Sequence, residues 1–146
     1  MQIKDPNLHL KLQEMCDCYL DTGYAVELAR MAAGPESDPE ENAVKYLALA
    51  IMYGITEKAD KLKFKQEKEG KIEVELKGEQ KIRLPAPNGD VLDGIIATIR
   101  QILHFDQEGG ELPLALGLRT GSVDLKVKMK EKPGKSSLTI YFPSWQ

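Results

Sequence analysis

The chain is poor in the residue types that carry most catalytic and metal chemistry: its 146 residues include two cysteines, two histidines and one tryptophan. Cys16 and Cys18 sit two apart in a helical pattern, where side chains point about 200° apart around the axis, so the pair can neither bridge nor grip one ion. With only His9 and His104 to add, the expectation is two reduced thiols, no metal site and no cofactor. A Walker-type phosphate loop is missing, and so is a nucleophile placed with a base. Long apolar runs are missing too. The longest, Tyr46 to Ile55, is about half of the roughly 20 residues that a bilayer-spanning helix needs. Met1 to Pro6 lacks the basic and apolar regions of a secretory signal. These absences predict a cytoplasmic protein with no membrane insertion.

What is present is charge and pattern. The chain is 42% apolar and 29% charged with a net charge of −3, which suits one ordinary domain with a real core. The charge is unevenly spread: residues 1–60 carry 5 basic and 11 acidic side chains, and residues 61–146 carry 15 and 12. The division points to a helical part over 1–60 and a differently surfaced part over 61–146.

In the first part Leu8, Leu12, Met15, Tyr19 and Leu20 recur on one helix face, with Asn7 placed to cap. Thr22-Gly23 breaks the pattern. Tyr24, Leu28 and Met31 resume it until Gly34-Pro35 ends it. Ser37-Asp38-Pro39-Glu40-Glu41 is a strong helix start, with a side-chain cap, proline in the first turn and carboxylates at the positive end of the dipole. It predicts a helix over 39–60. Val44, Leu47, Ile51 and Ile55 form one stripe of that helix, while Tyr46, Leu49, Met52 and Tyr53 spread over the others. A surface helix has a polar back, so Tyr46, Leu49 and Tyr53 belong either to a partner or homodimer interface or to a helix sandwiched inside the chain.

In the second part Leu62 and Phe64 alternate with Lys61, Lys63 and Lys65, and Ile72, Val74 and Leu76 alternate with Glu73 and Glu75. Glu69-Gly70 joins the two runs as a hairpin, in which Lys65 faces Glu73 and Lys63 faces Glu75. Residues 84–90 read as a loop ending in a capping Asp90. Leu92, Ile95, Ile96, Ile99, Ile102 and Leu103 then line one side of a helix, the central core element. Val123, Leu125, Val127 and Met129 alternate with Asp124, Lys126, Lys128 and Lys130, and Gly134 turns the chain into a last strand over 137–142. The fold class is therefore α+β: N-terminal helices forming a hairpin, then a ββ-α-ββ unit whose antiparallel sheet packs on one helix.

These residues resemble the domain that precedes the ATPase core in type II secretion and type IV pilus assembly ATPases. That family opens the domain with Ala-Ser-Asp-Ile-His-Ile-Glu-Pro, where this chain has Ala59 to Gln66. An Arg-x-Arg-x-Asp-Gly strand follows there; here Glu73 to Gly78 take its place. The helix is matched by Ile95 to Arg100, the Val-Asp-Leu-Arg-Val strand by Val123-Asp-Leu-Lys-Val127, and the glycine-led final strand by Gly134 to Phe142. The resemblance implies a shared fold over 59–142. The departures imply a lost nucleotide role: the paired arginines stand as Glu73 and Glu75, which repel phosphate, and the His and Glu of the first motif stand as Lys63 and Lys65.

The expected function is a non-catalytic protein-interaction or scaffolding module, an adaptor of a secretion, pilus or motility-type apparatus. The alternative is anionic-ligand or nucleic-acid binding by a basic surface of Lys63, Lys65, Lys126, Lys128 and Lys130. Nucleic acid is disfavoured, because no aromatics interleave with these lysines and Glu73 and Glu75 interrupt the patch. An enzyme is not expected. Asp106, Glu108 and Glu111 cluster near His104, and a carboxylate beside a histidine can move protons, but a histidine at a helix C-terminus commonly serves the dipole. Gly109-Gly110 is too little for a phosphate cradle, and Trp145 reads as a packing plug.

Overall fold

The computed structural model describes residues 7–20, 22–33, 38–104, 109–132 and 134–143. Three helices come first: α1 (Leu8–Cys18), α2 (Tyr24–Ala33) and α3 (Pro39–Thr56). The strands β1 (Lys61–Gln66), β2 (Ile72–Lys77) and β3 (Lys81–Leu84) lead into α4 (Gly89–Leu103), and β4 (Gly109–Leu118), β5 (Gly121–Lys132) and β6 (Lys135–Tyr141) complete the chain. The sheet is antiparallel with strand order β3-β2-β1-β6-β5-β4. The expected α+β architecture is present, and the sheet is broader than the ββ-α-ββ pattern by two strands, β3 and β4.

Local chemistry explains the boundaries. At α3 the Asp38 carboxylate accepts the Glu40 N–H at 3.0 Å, satisfying one of the free donors that open a helix. The helix ends at Thr56, four residues short of the expected 60. At α4 the cap is Asn88, whose side-chain oxygen accepts the Val91 N–H at 2.9 Å, and Asp90 falls in the first turn rather than at the cap. His104 ends α4 in a left-handed conformation with φ 55°. Gly70 closes the β1–β2 hairpin at φ 82°, a geometry that glycine adopts without strain. The pairing across that hairpin joins Lys63 to Glu75 and Lys65 to Glu73, the register expected from the alternation.

One face of the sheet is covered by the helices. α3 packs against α1, α2, α4 and β1, and α4 also meets β4. Buried residues from both parts of the chain form one core: Leu12 and Leu28 from α1 and α2, Leu47 and Ile51 from α3, Phe64 and Leu76 from the sheet, and Leu92, Ile95 and Ile99 from α4. The helix apolar all round is thus a core element. Tyr46 and Leu49, expected at a partner interface, are both 0% exposed. Tyr46 donates its hydroxyl proton to the Pro85 carbonyl at 2.5 Å, and its ring lies 6.2 Å from that of Phe64. Neither side chain reaches the surface, so the interface expected there is corrected to core; the sheet and three helices surround α3, and a second apolar stripe has its partners inside the chain. Tyr53 is half-buried and stacks on Tyr24 with ring centroids 5.9 Å apart. Gly54 lets the C-terminal segment close on the helix: a Cβ there would lie 2.2 Å from the Phe142 ring.

Candidate functional site: the open face of the sheet

Strand neighbours in register share a face, so the pairings lay out the uncovered face row by row. The first row runs Lys81, Lys77, Lys61, Tyr141, Lys126, Pro113 from β3 to β4. The second runs Arg83, Glu75, Lys63, Thr139, Lys128, Glu111, and the third Glu73, Lys65, Ser137, Lys130, Gly109. Lys132 and Lys135 extend the pattern at the β5–β6 turn. Together with Asp124 on β5, opposite Ala115, these positions carry eleven basic side chains against four acidic ones in a chain whose net charge is −3. The helical layer and the loops therefore carry most of the acid, and the sheet face is a strongly positive surface.

All five lysines expected on a basic surface lie on this face, with Lys126 and Lys130 exposed and Lys63, Lys65 and Lys128 half-buried. The two lysine stripes are parts of one surface. Strand β6 runs between them and sets Ser137, Thr139 and Tyr141 between the lysines, with Lys135 at its start. Glu73 and Glu75, expected to interrupt the patch, stand on β2 to one side of the paired stripes.

The charges are balanced unequally. Glu75 is 11% exposed and lies 3.5 Å from both Lys81 and Arg83 and 3.9 Å from Lys77. Burial pushes its carboxyl up, but Lys81, Lys77 and Arg83 outweigh burial and hold it below the usual carboxylate range. Lys65 bonds Glu67 at 2.9 Å, which raises the lysine and lowers the glutamate. Lys126 and Glu111 do the same, also at 2.9 Å. Lys63 is different: burial, then the charges of Lys77, Lys65 and Lys61, depress its ammonium, and Glu75 opposes them only in part. A depression of about 210 Å³ lies beside it, lined by Lys63, Lys65, Glu73, Glu75, Lys77 and Lys81.

The edges of the sheet are handled by other means. β4 is an edge strand, and unpaired edge backbone is a template for association. Along it the Ala115 carbonyl accepts from His9 Nε2 at 2.7 Å, the Gly117 N–H donates to Gln13 Oε1 at 2.7 Å, and the Arg119 N–H donates to Asp17 Oδ1 at 3.0 Å. His9, Gln13 and Asp17 recur every four residues and so form one stripe of α1. The adjacent stripe of Leu8, Leu12 and Cys16 is buried, and burial pushes the Cys16 thiol up to about 12.

Only two of the four acid–base residues near the end of α4 fall among the described residues. His104 is the C-cap of α4, Glu111 is ion-paired to Lys126 on β4, and Asp106, Glu108 and Trp145 lie outside the described residues. Cys16 is buried and Cys18 exposed. Among the described residues no group of three or more His, Cys, Asp or Glu is arranged to hold a metal ion, and no helix is long and apolar enough to cross a membrane. Ser137 and Thr139 went unnoticed in the sequence because short hydroxyl residues on a strand carry no charge signal; only the register shows lysines on both sides of them.

No protein-family model matches the chain, and no curated protein matches it.

Proposed function

We propose that this chain is a non-catalytic interaction module whose open sheet face docks an anionic partner surface. The observation that carries the reading is the row pattern: Lys61, Lys63 and Lys65 stand on one side of β6 and Lys126, Lys128 and Lys130 on the other, on a face no part of the described chain covers. Such a surface draws an acidic partner by long-range attraction and fixes its orientation on contact. The glutamates that replace the family's arginines fit a module that recruits rather than one that handles nucleotide. An adaptor in a secretion or pilus-type apparatus is the setting that the resemblance over 59–142 suggests.

Titration of the chain with polyglutamate at low and at physiological salt tests this reading. The expected result is saturable binding that weakens steeply as salt rises, because the partner charges are screened within about 10 Å at 0.1 M salt. Absence of binding at low salt contradicts it.

A further inference from the structure

Resting on that docking reading, we infer that the strip of sheet over β6, flanked by the two lysine stripes, serves as a channel for an extended acidic polypeptide segment with its carboxylates on alternate residues. The rows define three lysine pairs across β6: Lys61 with Lys126, Lys63 with Lys128, and Lys65 with Lys130. Neighbouring strands lie about 4.8 Å apart, so the members of a pair arise about 10 Å apart, with Tyr141 between the first pair and the shorter Thr139 and Ser137 between the second and third. Along each strand same-face residues recur every two positions, so successive pairs are spaced about 6.6 Å. An extended polypeptide presents its own same-face side chains at that spacing. A segment lying along β6 therefore sets one carboxylate over each lysine pair, three in succession, with no mismatch accumulating along its length.

The floor of the channel supports the same occupant. Thr139 is 7% exposed although it points to the open face, and its register neighbours there are Lys63 and Lys128. The lysine stems are the side chains placed to cover it, keeping their ammonium groups at the rim. Of the six lysines, Lys65 and Lys126 are already ion-paired, whereas Lys61, Lys63, Lys128 and Lys130 make no ion pair among the described residues. The central pair, Lys63 with Lys128, is thus the least neutralised by the chain's own salt bridges. A nucleic-acid strand fits less well, since sequence-tolerant binding of single strands relies on stacking worth about 1–3 kcal/mol per base. The channel offers Tyr141 alone for that purpose.

The test uses fluorescence anisotropy with three labelled probes: a peptide alternating glutamate with serine, a peptide of the same composition in two blocks, and oligothymidylate. The whole chain is compared with the double variant Lys63→Gln/Lys128→Gln and with Lys45→Gln on the helical layer, each checked by circular dichroism. The alternating peptide is expected to bind at least about tenfold more tightly than the block peptide, a preference that the double variant loses and Lys45→Gln keeps. Equal affinity for the two peptides overturns the extended register while leaving the docking reading intact. Tighter binding of oligothymidylate than of either peptide overturns the acidic-polypeptide class. Failure of both peptides where polyglutamate still binds overturns the channel, and failure of polyglutamate itself removes the docking reading beneath it.

Discussion

Lys63 and Phe64 are consecutive residues of one strand, yet they face different environments. Phe64 is 1% exposed in the core beside Tyr46, while Lys63 stands on the open face among other lysines. The same contrast runs along β5, where Leu125, Val127 and Met129 are buried and Lys126, Lys128 and Lys130 face out. On one side apolar area is removed from water and held by four helices. On the other, long cations are kept apart from the carboxylates of the helical layer. Stability resides on the first face, and the second has chemistry that folding does not require, since surface ion pairs contribute about 0–1 kcal/mol each. The difference between adjacent residues is therefore a difference between holding the fold together and presenting charge to solvent.

The sharpest way to break the contrast is to truncate both neighbours separately. Phe64→Ala should cost about 3–5 kcal/mol in urea unfolding, the usual range for emptying an aromatic core site. Lys63→Ala should stay within about 0.5 kcal/mol of the parent. A loss of several kcal/mol from Lys63→Ala would place that face in the core's service. Next in size is Gly54→Ala, which drives a methyl group into the Phe142 ring and should cost about 1–3 kcal/mol. In a Phe142→Ala background the same change should cost little, so the two effects will not add if the close approach is the cause.

Gln13→Ala removes the acceptor for the Gly117 N–H at the β4 edge and should cost about 0.5–1.5 kcal/mol. Its more specific consequence is association at high concentration, seen by sedimentation, as the edge loses its cover. The smallest effect concerns Glu75. Its carboxyl is held below the ordinary range in the fold, so its contribution to stability is fully present above the unfolded-state value, about 4, and is lost as pH falls through the depressed folded value. The gap in urea midpoint between the parent and Glu75→Gln should therefore narrow as the solution is acidified, and a gap that widens would contradict the assigned cause.

Much of this architecture is legible in the alternation. The β1–β2 register follows from matching Lys63 and Lys65 to Glu75 and Glu73 while keeping Leu62 and Phe64 on one side. The missed strands failed for definite reasons. In β4, Leu112, Leu114, Leu116 and Leu118 alternate, but Gly109, Gly110, Pro113 and Gly117 resemble loop punctuation. Proline is tolerated at a sheet edge, and β4 is an edge. β3 is four residues long, too short to stand out. The environment of α3 was not legible, because an apolar stripe has the same pattern whether it meets its own sheet or another molecule. The candidate face was visible only as two separate lysine stripes. That β6 would run between them is a matter of strand order, which local pattern does not encode.

On the proposed reading the open face, rather than the helical layer, receives the partner. Amide chemical-shift mapping of the chain with polyglutamate at low salt tests it most directly. Shifts should concentrate at residues 61–65, 126–130 and 137–141, on both sides of and along β6. Shifts concentrated on α1, α2 or α3 with that strand group silent would contradict it.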